Sequence, residues 1–146
     1  MFSRRQSQRA RERATEYATC KDFQEIFRED MAGLHLLAYL LTGDPARAEQ
    51  CFVAGLEDSI HGNPVFKQWA RAWSKRAIIQ NAIKTVAPLS APANAAPPRQ
   101  LEIDGQSPLI AMVLGWTAFE RFVFVMSVLE GYAVRECAAL LACTDQ

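Results

Sequence analysis

A proline-rich segment divides this chain into two parts. Over Ala87–Asp104 the sequence places four prolines among alanine, serine and asparagine residues, namely Pro88, Pro92, Pro97 and Pro98. Proline fixes φ and has no N–H donor, so a segment of this composition cannot continue a helix and favours an extended chain. We therefore predict a linker over residues 87–106 between two small domains, residues 22–86 and residues 107–146. A basic arm, residues 1–21, precedes them.

Apolar residues recur at helical spacing in the first domain. One set is Phe23, Ile26, Phe27, Met31, Leu34, Leu37, Ala38 and Leu41, and a second set is Ala48, Cys51, Phe52 and Leu56. Between the sets, Gly43-Asp44-Pro45 predicts a helix end, a helix cap and a first helical residue, in that order. A turn at residues 61–64 predicts the end of the next helix, and a further helix is expected from Val65 to about Val86. This pattern predicts an all-α fold.

The second domain contains two apolar segments at helical spacing that are separated at a glycine. Ser107-Pro108 resembles a capped helix start. The apolar positions that follow are Phe122, Val123, Val125, Met126 and Leu129, and Gly131 predicts a helix end because glycine accepts a positive φ. One face of the last helix is marked by Val134, Cys137, Ala138 and Leu141, with Arg135 and Glu136 turned outward. A short turn, Ala142-Cys143-Thr144, is expected to follow this last helix, and no second helix comes after it. One helix and a turn make up half of a helix-turn-helix motif.

The composition narrows the class of protein. Half of the 146 residues are hydrophobic, and 16 basic residues balance 16 acidic ones, so net charge predicts no partner. The four cysteines (Cys20, Cys51, Cys137 and Cys143) form no CxxC pair, which favours a reducing compartment, and Cys51 and Cys137 are predicted core residues. The basic, polar Met1–Arg13 is not a secretory signal, and no apolar run is long enough to span a membrane. We expect a cytoplasmic protein without membrane insertion.

Charge is distributed unevenly along the chain. Ser59–Arg99 contains no acidic residue, but five cations lie in its predicted helix, namely Lys67, Arg71, Lys75, Arg76 and Lys84. Lys67, Arg71 and Lys75 are four residues apart and form a basic stripe along one helix face. Phe66, Trp69 and Trp73 are interleaved with them. Cations displace phosphate counterions and aromatic rings stack on unpaired bases, so the pattern favours nucleic-acid binding. The alternative is a solvated basic face with the aromatic rings in the core.

Residues near the end of the chain resemble a known family. The run ERFVFVMSVLEGYAVRECAALLACT, residues 120–144, is similar to region four of the extracytoplasmic-function sigma factors of bacterial RNA polymerase. The matching positions are Glu120, Arg121, Leu129, Glu130, Gly131, Tyr132, Glu136, Ala138, Leu141 and Cys143. An ordinary helical hairpin is the alternative interpretation of the same residues.

A second run resembles region two of the same family. LLAYLLTGDPARAEQ, residues 36–50, matches it at Leu40, Leu41, Gly43, Asp44, Ala48 and Glu49. Phe66 and Trp69 occupy the positions of an aromatic pair that, in the family, precedes the helix capturing melted promoter DNA. The order of region two, proline-rich linker and region four is the family's layout, and it covers the chain from about Asp22.

The resemblance implies a transcription initiation protein that binds core RNA polymerase and promoter DNA. Together with the charge pattern, it assigns DNA binding to Lys67, Trp69, Arg71, Lys75, Arg76, Lys84 and Arg135. It assigns polymerase binding to Glu49, Gln50, Val53 and Ala54. An anti-sigma factor is a further candidate partner.

The chain departs from the family at positions that bear on function. At positions where the family has polar residues that contact the polymerase, this chain has Gln50, Val53 and Ala54. In the DNA-reading helix, the usual Arg-Asn pair and the following Asp correspond to Lys75-Arg76 and Gln80. No recognition helix follows Cys143-Thr144, so we expect either a truncated product or a protein that does not read the upstream promoter element. A sigma-derived helical interaction module without promoter-reading activity is the second hypothesis.

Catalysis has little support in the sequence. His35 lies among leucines at helical spacing, which favours a buried or interfacial histidine over a catalytic base, and His61 lies in a predicted turn. No Cys, Asp or Glu falls at ligand spacing around either histidine, and there is no glycine-rich phosphate loop. We expect a protein that is not an enzyme and holds no metal or cofactor.

Overall fold

The structure, a computed structural model, describes residues 16–89 and 107–142 together with Arg4, Arg5 and Ser7. Within the two long ranges the chain forms seven α-helices: α1 Cys20–Glu29, α2 Met31–Thr42, α3 Pro45–His61, α4 Ala70–Val86, α5 Pro108–Leu114, α6 Ala118–Phe124 and α7 Val134–Ala142. A short 3-10 helix, Lys67–Trp69, leads into α4, and α6 continues as a π-helical turn, Val125–Leu129. The predicted all-α fold class is confirmed.

Several predicted features lie outside the described residues. They are most of the basic arm, the linker beyond Leu89, and the turn at Cys143-Thr144. The start of the linker is described: α4 ends at Val86, and Ala87 caps it in the left-handed region with φ 50°. The predicted end of this helix is therefore confirmed.

Local sequence signals explain the boundaries of the first helices. Thr19 and Asp22 form a capping box, in which the Asp22 N–H donates to Thr19 Oγ1 at 3.2 Å and the Thr19 N–H donates to Asp22 Oδ2 at 2.8 Å. Gly43 ends α2 with φ 69°. Asp44 caps α3 by accepting a hydrogen bond from the Ala46 N–H at 2.8 Å. The predicted break at Gly43-Asp44-Pro45 is confirmed.

The fourth helix begins later than predicted. Phe66 is extended, the 3-10 helix follows, and α4 starts at Ala70. The extended backbone is held by the segment that precedes α1, because the Ala18 N–H donates to the Val65 carbonyl at 2.7 Å. This contact between distant segments has no signature in the local sequence.

The first four helices pack around a core centred on α3 and α4. The largest fully buried side chains there include Phe27, Leu34, Leu41, Cys51, Ile78, Ile79 and Ile83. Three predicted core residues differ. Met31 is 50% exposed, and Phe52 and Leu56 are only partly buried. The inward face of α3 contains the predicted Ala48 and Cys51 together with Gly55 and Ser59.

The helix before Gly131 ends where the sequence predicts, but the buried face of α7 differs from the predicted one. Gly131 has φ 70°, as expected for the end of the helix before it. The buried face of α7 consists of Cys137, Leu140 and Leu141. The predicted face is wrong for Val134, which is 82% exposed, and for Ala138, which is also exposed. Both faces satisfy helical periodicity, so only packing could choose between them.

The two predicted domains share one hydrophobic cluster. Buried residues of the second part, including Val113, Phe122 and Met126, join the core of the first, and α2 contacts α5, α6 and the π-helical turn. The division of the chain into domains stays a prediction. The described parts of both predicted domains nevertheless pack against each other through α2.

Candidate nucleic-acid interface

The basic stripe lies on the exposed side of the segment that runs from the 3-10 helix into α4. Lys67 is in the 3-10 helix, Arg71 and Lys75 are in the first turns of α4, and all three are exposed. The opposite side of α4 is buried and includes Ala70, Ser74, Ala77 and Ile78. A spacing of four residues is close to one helical turn, which keeps the three cations on one side.

The first two cations of the stripe are paired with carboxylates around α1. Lys67 Nζ lies 3.6 Å from Asp22 Oδ2. Arg71 contacts Glu29 Oε2 at 2.8 Å and also contacts the carboxylate of Asp30. The hydrogen bonds from Arg71 to Glu29 and Asp30 raise the pKa of its guanidinium. Exposed ion pairs contribute little net free energy, so phosphate groups can compete with these carboxylates.

The third cation of the stripe is paired with the C-terminal part of the chain. Lys75 Nζ lies 3.2 Å from Oε2 of Glu130, which follows the π-helical turn. The side chain of Lys75 is 46% exposed, whereas that of Glu130 is 16% exposed. This ion pair joins the basic stripe to the second predicted domain.

The other predicted DNA-binding cations have different positions. The guanidinium of Arg76 lies over the ring of Trp73, 5.8 Å from its centroid, which is within cation–π range. Lys84 is exposed in the last turn of α4, about two turns beyond Arg76. Arg135 is exposed on α7. The structure thus groups the stripe with Arg76, and places Lys84 further along α4 and Arg135 on another helix.

Aromatic side chains are exposed beside the stripe. Trp69 is 56% exposed and Trp73 is 38% exposed. Phe66 contacts Trp69 edge to face, with 5.3 Å between the ring centroids. The alternative that the two tryptophans are core residues is therefore wrong. Their rings are accessible to unpaired bases, which stack on such faces.

Sequence reasoning missed Tyr17, which extends the row of aromatic rings. The Tyr17 ring stacks on Phe66 with 4.8 Å between centroids and 17° between planes. The backbones of the same two residues form an antiparallel bridge. We call Tyr17, Phe66, Trp69 and Trp73 the aromatic surface. Because the bridge joins segments far apart in the sequence, no local signal could have identified Tyr17 as a member.

The predicted polymerase-binding residues lie on one side of α3. Glu49, Gln50 and Val53 are exposed, and Ala54 is half-buried. The opposite side of the helix packs into the core through Ala48, Cys51 and Gly55. The four residues are therefore placed where a partner could contact them.

The predictions about histidines and metals concern residues away from this interface. Among the described residues, no three or more His, Cys, Asp or Glu side chains form a group that could hold a metal ion. The half-buried His35 ring lies 5.2 Å from the ring of Phe52, and His61 is exposed at the end of α3. No helix in residues 16–89 or 107–142 has both the length and the apolar composition needed to cross a bilayer.

The fold and its surface define a class of protein. It is an all-helical protein with exposed aromatic rings beside paired cations, and with a further accessible face on α3. Comparisons with protein-family models, with curated proteins and with solved structures find no match. Its function is therefore inferred from its residues and their geometry.

Proposed function

We propose that this protein is a sigma-factor-like transcription initiation protein that binds core RNA polymerase and promoter DNA. The observation that carries the proposal is the exposure of Trp69 and Trp73 beside the basic stripe and Arg76. Rings on such a surface stack on unpaired bases while cations contact phosphates. The protein would act in the cytoplasm without a cofactor or catalysis of its own, and an anti-sigma factor is a candidate regulator.

The DNA form that this surface fits best is single-stranded. Stacking requires a free base face, which duplex DNA does not offer, whereas a melted promoter does. The aromatic surface continues past Trp69 to Phe66 and Tyr17 through direct ring contacts. A row of neighbouring rings can stack on several successive bases of one strand.

Binding to a labelled single-stranded oligonucleotide and to its duplex, measured by fluorescence anisotropy at several salt concentrations, tests the DNA contact. We expect binding to the single strand that weakens with salt.

Trp69→Ala should weaken this binding roughly tenfold through loss of base stacking. Arg76→Gln should make the slope of log K against log salt about 0.7 less steep, as expected for one lost phosphate contact. Arg28→Gln, at an exposed cation on α1, is the control. Salt-independent binding, or none, would contradict the proposal.

Binding to core RNA polymerase tests the other half of the proposal. Val53 is 48% exposed on α3, so Val53→Glu should weaken binding if this face meets the polymerase. Leu89 is a matched control because it is 46% exposed and lies beyond α4. We expect Leu89→Glu to bind as the unmodified chain does. Equal loss in both variants would show that α3 is not the contact.

A second function, a sigma-derived interaction module without promoter-reading activity, is favoured by one specific observation. All three cations of the basic stripe are already paired with carboxylates of the same chain. The residues Gln50, Val53 and Ala54, where the chain departs from the family, point the same way. Polymerase binding together with a complete lack of single-stranded DNA binding would favour this second function.

A further inference from the structure

The turn that follows the π-helical segment lies against the basic side of α4. Glu130 at its start pairs with Lys75. Tyr132 at its end is half-buried. Burial and the charge of Glu130 raise the pKa of its phenol, and the charge of Arg76 lowers it. We call Glu130–Tyr132 the acidic turn.

The acidic turn is held firmly by the core. The Glu130 N–H donates to the Val125 carbonyl at 3.0 Å, and the Tyr132 N–H donates to the Met126 carbonyl at 2.9 Å. Val125 and Met126 are both fully buried. Gly131 between them adopts φ 70°, which reverses the chain and leaves the Glu130 carboxylate facing α4. The carboxylate is thus presented by a fixed backbone, whereas the Lys75 ammonium it holds is at the surface.

A carboxylate and a DNA phosphate are both oxyanions, and a lysine ammonium held by one is less available to the other. We propose that the acidic turn is an intramolecular mask, in which Glu130 occupies Lys75 and lowers the affinity of the α4 surface for single-stranded DNA. This inference rests on the proposed nucleic-acid function of that surface. It assigns the C-terminal part of the chain a regulatory role toward α4.

Glu130 differs from the other carboxylates that pair with the stripe. Asp22, Glu29 and Asp30 lie in or next to α1, within the same predicted domain as the cations. Glu130 belongs to the second predicted domain, so a partner that displaces that part from α2 would also release Lys75. Masking by Glu130 therefore couples the position of the C-terminal helices to DNA affinity.

The test is anisotropy with a labelled single-stranded oligonucleotide on the full chain and its Glu130→Gln variant across a salt series. Glutamine keeps the size of the side chain and removes its charge. We expect roughly two- to fivefold tighter binding, the range of an exposed ion pair, and a salt slope about 0.7 steeper from one added phosphate contact. Glu57→Gln, at an exposed glutamate on α3, removes the same charge elsewhere and should change neither quantity.

Two further measurements separate the possible failures. In a Lys75→Gln background the gain from Glu130→Gln should vanish, and an equal gain there would overturn the mask. Circular dichroism confirms that each variant is folded.

If the unmodified chain binds single-stranded DNA through Trp69 and Arg76 but Glu130→Gln binds no more tightly, the mask is wrong and the proposed function stands. If no variant binds, both are wrong. Binding that is seen only after Glu130→Gln would support the mask and would contradict the proposed DNA binding by the unmodified chain.

Discussion

At the scale of single residues, two helical glycines have opposite surroundings. A Cβ at Gly55 in α3 would lie 2.7 Å from Ile78 Cγ1 and 3.3 Å from the Ile78 backbone nitrogen, whereas a Cβ at Gly33 in α2 would meet nothing within 4 Å. Ile78 is fully buried and β-branched, so it has little freedom to move aside. Gly55 is what lets α3 and α4 pack so closely.

We therefore predict opposite signs for the same substitution at these two positions. Gly55→Ala should destabilise the fold by about 1–3 kcal/mol through overpacking. Gly33→Ala should stabilise it by about 0.5–1 kcal/mol, because alanine is the better helix former. Urea unfolding followed by circular dichroism measures both. A stabilising Gly55→Ala would show that α3 and α4 are further apart than described.

At the scale of helices, α1 depends on its capping box, and the box depends on pH. The hydrogen bond from the Thr19 N–H lowers the pKa of Asp22, the Thr19 hydroxyl and Lys67 lower it further, and burial opposes them. Since the pKa is lower in the folded state, the folded state binds fewer protons here, and stability from this group rises with pH. The contribution is complete above the unfolded pKa of about 4 and is lost as pH falls through the folded pKa.

Asp22→Asn should therefore destabilise the chain at pH 7 by roughly 0.5–1 kcal/mol, in the range of lost helix caps. The difference from the unmodified chain should shrink as the pH is lowered below about 4. Urea unfolding at several pH values measures this difference directly. Glu25→Gln, in the same helix but outside the box, controls for the loss of one charge. A difference that stays constant down to pH 2.5 would contradict the role of the ionised carboxylate.

At the scale of the whole molecule, a buried arginine joins the two parts. Arg121 is 3% exposed, and it donates to the Leu41 carbonyl at 3.4 Å and to the Trp116 carbonyl at 3.0 Å. Leu41 is near the C-terminus of α2, where the helix dipole favours a cation. Burial lowers the pKa of Arg121, and its Nε has no hydrogen-bond partner among the described residues. The contact is therefore formed at a desolvation cost.

Removal of this side chain tests how strongly the two parts depend on each other. Arg121→Ala should destabilise the fold by about 1–3 kcal/mol, because it removes the hydrogen bonds to the Leu41 and Trp116 carbonyls, the first of which is buried. Arg135→Ala, at an exposed arginine on α7, should change stability by less than about 0.5 kcal/mol. Trp116 belongs to the second part, so unfolding followed by tryptophan fluorescence includes a signal from it. Equal effects of the two substitutions would show that Arg121 does not hold the parts together.

The sequence by itself determined the all-α class and most helix boundaries. Gly43, Asp44 and Gly131 act within one turn of their own position, through positive φ or a local hydrogen bond, so their effect can be predicted without knowing the fold. The spacing of the basic stripe, which keeps its cations on one face, follows from the helix alone for the same reason.

Only the tertiary structure decided what the stripe contacts. The stacking of Tyr17 on Phe66, the pairing of Lys75 with Glu130 and the buried face of α7 all depend on segments that meet only when the helices pack. Helical periodicity predicts which residues share a face. Which other helix covers that face depends on how the whole core packs. Thus the cations were evident in the sequence, whereas the carboxylates that pair with them became evident only in the folded chain.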